Sequence, residues 1–177
     1  FDTGPGNGPL DFLIYNRLKA KMDINGEIAK EGKVNKYKKK ITLDVLKKHI
    51  KSISFDRKKI DKACLTYMSS LETKHALATL IDIITEIISM KIKQYNLKTL
   101  IVTGGGRKNK TFIHSLANKL KIEVLVAENI GWDGDSLEAE AFGYLAVKSI
   151  LGKPYTFKST TGVSKNSTGG VLFYYNN

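Results

Sequence analysis

The stretch from Leu100 to Val126 constrains the fold more than any other part of this chain. Leu100-Ile101-Val102 is a short, largely β-branched apolar run, the pattern of a buried strand. Thr103-Gly104-Gly105-Gly106 stops it with three residues that tolerate positive φ and let a ligand approach the backbone closely. Asn109 can cap a following helix in which Phe112, Ile113, Leu116, Ala117 and Leu120 share one face. Ile122 to Val126 reads as a second strand. Strand, turn, helix, strand is a βαβ unit, which predicts parallel strands joined by a right-handed crossover. Ligands of open α/β sheets bind at the carboxyl ends of strands, where Gly104–Gly106 falls. The triplet also serves as an ordinary tight turn. It is neither a Walker A loop nor a G-x-G-x-x-G dinucleotide fingerprint.

A chain of 177 residues with 42% apolar composition has room for one domain with a real core. The start at Phe1-Asp2-Thr3, without Met or a basic-then-apolar leader, suggests a fragment of a longer chain. No run of about 18 uncharged apolar residues offers a membrane span. Cys64 reads as a buried core residue, and His49, His75 and His114 are too isolated to make a zinc pattern. The net charge of +12 invites a nucleic-acid partner. That partner is disfavoured because the excess is nearly all lysine, with only Arg17, Arg57 and Arg107 able to fork onto phosphate or guanine. A solvated lysine face, able to attract anions at long range, accounts for the charge.

Phe1-Asp2-Thr3-Gly4-Pro5-Gly6-Asn7 is a second glycine turn, with Asp2 expected at the end of a strand. Asp2 has three readings: a base for a nucleophile, a partner of Mg²⁺ through water, or an Asx turn. Helices are predicted over 10–22, with Leu10, Leu13, Ile14 and Leu18 buried, over 43–50 capped by Thr42, and over 57–68. Lys36 to Lys40 reads as a solvated charge run. Ser69 and Glu72 have capping-box spacing before a helix over 73–95, apolar around most of its circumference and therefore central. The loop 128–134 is a candidate ligand rim, in which Trp132 either stacks on a ligand or seals the loop. A helix over 135–151 follows, with Asp135 and Glu138 at capping-box spacing and a small-residue face of Ala139, Ala141, Gly143 and Ala146. Val171 to Tyr175 reads as a terminal strand.

The order of these motifs is more specific than any one of them. Phe1–Asn7 with Asp11, Val102–Gly106 with Asn109, Asp135–Phe142 with Leu145-Ala146, and Thr161-Gly162 before Gly169-Gly170-Val171-Leu172 resemble the C-terminal half of the anhydro-N-acetylmuramic acid kinases. These belong to the acetate/sugar kinase, Hsp70 and actin superfamily. The resemblance implies an α/β chain, the C-terminal lobe of an actin-like ATPase (ribonuclease H-like) fold with a mixed sheet flanked by helices. It implies residues 1–177 as a single domain, with the N-terminal lobe absent.

By that resemblance, Thr3, Gly4 and Gly6 match a phosphate motif, and Gly104, Gly105, Gly106 and Asn109 an adenosine motif. Asp2 matches the general base that directs water onto the anomeric carbon, while O6 takes the γ-phosphoryl of ATP with Mg²⁺ present. Asn7 and Glu138 become candidate substrate contacts. An amino sugar and ATP are the implied ligands, cytoplasmic cell-wall recycling the implied setting, and a homodimer or a separately supplied N-terminal lobe the implied partners. With half of a cleft, the chain alone is expected to be inactive. The alternatives are a non-catalytic remnant or interaction module and, behind it, a lysine-driven nucleic-acid binder.

Overall fold

Residues 3–49 and 57–174 are described by a computed structural model. Two compact units are present, Phe1–Gly131 and Trp132–Asn177.

The first unit is built on a helix that has nowhere polar to face. Helix α5 (Thr73–Ile92) buries twelve of its twenty residues, with Leu77, Leu80, Ile83 and Ile84 fully enclosed. Such a helix needs neighbours on several sides. They are α1 (Gly8–Leu18), α2 (Glu27–Lys30), α3 (Lys36–His49) and α6 (Lys110–Leu120), while α4 (Arg57–Met68) packs on α1 and α3. Strands β1 (Thr99–Val102) and β2 (Glu123–Val126) pair in parallel, Thr99 opposite Glu123 and Val102 opposite Val126. Leu100, Val102 and Val124 lie against the helical core. The βαβ unit is thus present, and among the described residues the sheet has these two parallel strands rather than a mixed set.

Several expected boundaries shift for local reasons. Helix α1 stops at Leu18, four residues before the expected end. Lys19 takes a left-handed conformation there, its N–H bonding the Tyr15 carbonyl, which leaves Leu18 half-exposed. Helix α3 begins at Lys36, not Leu43, because Asn35 supplies the cap through Oδ1 to the Lys38 N–H at 2.9 Å. Thr42 lies inside that helix, its hydroxyl donating to the Lys38 carbonyl at 2.7 Å. The capping box at Ser69 does not form: Glu72 heads α5 without a side-chain cap, and Ser69 Oγ donates to the Thr66 carbonyl. The end of α4 is instead held by Arg17, whose guanidinium donates to the carbonyls of Met68 (2.6 Å) and Leu71 (2.7 Å). Cationic donors belong at such a terminus, where carbonyls lack helical partners. Cys64 is buried as expected; burial, and then the charge of Asp61, push its thiol up to about 12.

The charge run is only partly solvated. Lys39 Nζ lies 2.5 Å from both Asp82 and Glu86 of α5, and Lys119 of α6 lies 2.6 Å from Asp82. Burial alone would raise the Asp82 carboxyl, but hydrogen bonds from Lys119 and Lys39 outweigh it and hold the group below its ordinary value. The same balance raises Lys39: burial opposes its charge and the two carboxylates outweigh it. The cluster ties α3 and α6 to the polar stripe of α5.

In the second unit, α7 (Leu137–Ile150) is capped at Leu151, with Gly152 left-handed just beyond, and is followed by the single turn α8 (Lys158–Thr161) and an antiparallel bridge between Thr156 and Ser167. Ser149 Oγ donates to the Gly169 carbonyl. Residues 171–174 form no strand.

Asp82→Ala is expected to destabilise the chain at pH 7 by about 2 kcal/mol, between the usual surface and buried ion-pair effects. A carboxyl held low contributes above the unfolded value of about 3.9 and loses that contribution as pH falls through its folded value. Denaturant melts should therefore show the wild-type advantage closing below about pH 4.

Candidate active site

The two glycine turns meet. Residues 3–7 enter α1, whose first residues Gly8 and Pro9 start the helix; the second turn leaves β1 and enters α6. A cavity of about 440 Å³ opens between them, lined by Gly4–Pro9, Asp11, Gly105 and Gly106, with Ile60 and Asp61 of α4 on its side. That volume is within the range of small-molecule sites. Gly106 is where the turns come closest, a Cβ there falling 3.8 Å from Cβ of Asn7.

Side chains fix this approach from below. Asn109 is buried and caps α6, its Oδ1 accepting from the Phe112 N–H at 3.0 Å. Its Nδ2 donates to Asn7 Oδ1 at 3.5 Å, and Asn7 Nδ2 donates to Asp11 Oδ1 at 2.8 Å. Cap, turn and first helix are thereby joined in one chain of amides ending on a carboxylate. Gly26 seals the underside: its φ is +75°, and a Cβ there would fall 2.2 Å from Asn109 Oδ1. Gly104 turns the chain out of β1 with φ 71° and ψ −174°, a conformation glycine alone adopts readily.

The sequence-predicted residues do not all fall in one place. Gly4, Gly6, Asn7, Gly105 and Gly106 line the cavity, whereas Thr3 and Gly104 adjoin it in sequence but are not among its described lining. Asn109 lies beneath it as a cap. Asp2 falls outside the described residues. Glu138 belongs to the second unit, exposed in the first turn of α7. Its expected capping box with Asp135 is replaced by Ser136 as N-cap residue, with Ser136 Oγ donating to Glu140 at 2.7 Å. Asp133 Oδ1 receives the Asp135 N–H, and this bond leads the effects holding the Asp133 carboxyl below its ordinary value. Trp132 is half-exposed.

Asp61 was not legible as a site residue. It sits in a lysine-rich helix with no local signature, and only tertiary packing of α4 brings it to the glycine turns. The lining holds two aspartates and, among the described residues, no lysine or arginine. Two of the arginines that could have gripped a phosphate are committed inside the fold: Arg17 to the end of α4, and Arg107 to Glu128 and the Gly104 carbonyl.

Paired glycine turns at the carboxyl side of a parallel βαβ unit, carboxylates between them, describe an α/β ligand-binding unit of the kind kinases use. The family model for anhydro-N-acetylmuramic acid kinase matches residues 1–175, and the chain belongs to that family. It is 38% identical over 176 residues to an anhydro-N-acetylmuramic acid kinase of Brucella anthropi, covering 97% of this chain and 46% of that protein. The kinase of Caulobacter vibrioides is 38% identical over 179 residues, with 97% and 46% covered. That of Pelagibacter ubique is 36% identical over 182 residues, with 97% and 48% covered. The chain therefore spans about half the length of the relatives it matches. Among the described residues, no helix is long and apolar enough to cross a membrane.

Asn109→Ala should remove the α6 cap and the bond to Asn7 together. Thermal melting is expected to report a loss of about 1–2 kcal/mol, the upper range for a lost N-cap. Asn109→Asp keeps the capping oxygen and should retain most of that stability.

Proposed function

We propose that the chain supplies the nucleotide-facing and base-bearing part of an ATP-dependent anhydro-N-acetylmuramic acid kinase of the actin-like superfamily. The observation that carries this is the single cavity shared by the two glycine turns, with Asp11 and Asp61 on its wall. A side chain at Gly6 or Gly105 would meet no atom within 4 Å, so backbone faces open space there and phosphate oxygens can approach it. A cavity with carboxylates and no basic side chain in its described lining suits a polyphosphate accompanied by a hard cation. Asp11 and Asp61 would hold Mg²⁺, which when bound offsets phosphate charge.

In this reading Gly4, Gly6, Gly105 and Gly106 hold the nucleotide, and Asn109 and Asn7 fix the spacing between the turns. Asp2 takes a proton from water as the water oxygen bonds the anomeric carbon. The C1–O6 bond breaks, and O6 bonds the γ-phosphorus of ATP as the bond to the β,γ-bridging oxygen breaks, giving ADP and the 6-phosphate of the opened sugar. Asn7 contacts the sugar. Placing two substrates and a water in line is the work positioning can do, and a part of the cleft alone would do it poorly.

Gly105→Leu tests the nucleotide assignment. Because a side chain there meets open space, melting should stay within a few degrees of wild type, while calorimetric titration with Mg-ADP should show affinity weaker by at least about tenfold. Undiminished affinity overturns the assignment. In a polypeptide of the relatives' full length carrying this sequence, Asp2→Asn should lower turnover by about 10²–10⁴ and leave Mg-ADP affinity unchanged. Unchanged turnover overturns the role of Asp2.

One observation favours the second reading, an interaction module. Helix α7 buries none of its residues, and Phe142, Val147 and Ile150 are all exposed by more than half. A patch of this kind marks an association surface. Sedimentation of the purified chain should then show concentration-dependent self-association that Phe142→Ser weakens; a monomer at all concentrations removes this reading.

A further inference from the structure

Three successive glycines make a turn that is open to ligand and poor at holding its own shape, since glycine loses the most conformational freedom on ordering. Of the backbone bonds within the turn, Asn109 N–H to the Gly106 carbonyl is ordinary at 3.1 Å, but Arg107 N–H reaches the Gly104 carbonyl only at a long 3.3 Å. Another element must fix it.

β1 and β2 each run at their carboxyl ends into a short 3₁₀ turn, Gly105–Lys108 and Ala127–Ile130. Arg107 of the first reaches Glu128 of the second, Nε to Oε1 at 2.7 Å. Its Nη1 donates to the Gly104 carbonyl at 3.0 Å, the same oxygen that the turn's own N–H reaches weakly. The Arg107 side chain is only 4% exposed, although its partner Glu128 is half-exposed. Burying a guanidinium for stability alone returns little, because desolvation opposes the attraction. The planar fork does return geometry, fixing one carbonyl while anchored to a neighbouring loop.

We propose that Arg107 and Glu128 are positioning residues, a bridge between the two strand-end loops that locks the Gly104–Gly106 turn in the conformation facing the cavity. The inference rests on the reading of that turn as a nucleotide contact for its functional consequence, and on geometry alone for the lock. Lysine at 107 would keep the charge and lose the fork. Glutamine at 128 keeps the shape and loses the charge at a half-exposed position, so the fold survives it.

The test compares wild type with Glu128→Gln, using Arg107→Lys as a second variant. Amide hydrogen exchange read by NMR should accelerate about tenfold at Asn109, and at Arg107 in the Glu128→Gln variant, as a charge-assisted hydrogen bond is weakened, while amides of α5 stay unchanged. Equal exchange in the turn, or acceleration spread equally through α5, overturns the lock. Mg-ADP titration should then show an affinity about tenfold weaker in both variants. If wild type binds Mg-ADP and the variants bind it equally well, the positioning role is overturned. If wild type does not bind Mg-ADP, the nucleotide reading falls instead, and the exchange rates alone decide whether the turn is locked.

Discussion

The first unit depends on the enclosure of α5. A helix with isoleucine and leucine on most of its faces is stable only where other helices cover it, and truncating one such residue to alanine typically costs about 2–5 kcal/mol. That requirement places α1 and α6 against the same helix. Each of those two carries a glycine turn at its N-terminal end, so the demand for burial also brings the turns together. The exception on α5 is the stripe of Asp82 and Glu86, where Lys39 and Lys119 neutralise what could not be buried alone. Hydrophobic enclosure brings α1 and α6 to the same helix; the ion pairs tie α3 and α6 to the polar stripe of α5.

Charge is distributed unevenly in a way that suits a phosphorylated ligand. The chain carries +12 overall, yet the described cavity wall is carboxylate, amide, proline, glycine and one isoleucine, with no basic side chain. Lysines spread over the surface create a field that draws anions from a distance. On the proposed reading, an anion at the wall would meet backbone and carboxylates, which favours a ligand bringing its own counter-cation. Attraction at long range and selection at short range are thereby assigned to different residues.

The parts legible in the sequence were those fixed by local chemistry. The period of Phe112, Leu116 and Leu120, the cap at Asn109 and the glycine stop after Val102 each act within a few residues, and the βαβ unit follows from them. The parts missed were those where a distant group did a local job. The end of α4 is closed by Arg17, some fifty residues away, and Ser69 turns its hydroxyl back to the Thr66 carbonyl instead of heading α5. Lys39 looked like one of four solvated lysines until α5 presented two carboxylates to it. Asp61 reached the cavity through packing of α4, and Arg107 turned inward to Glu128 across the sheet end, neither of which spacing can encode.

The Arg17 clamp also bears on the order in which the chain can fold. Helix α1 is made of residues 8–18, but the carbonyls that receive its arginine lie at Met68 and Leu71, separated by 51 and 54 positions. Leu10, Leu13 and Ile14 wait for the same region, since α1 packs on α4 and α5. During synthesis the first helix therefore emerges with its apolar face uncovered and stays so until α5 has left the ribosome. Non-local closure of this kind slows folding and lengthens the exposure of sticky surface. The first glycine turn, sitting at the head of α1, is consequently slow to take shape, although it is made before the helices that cover α1.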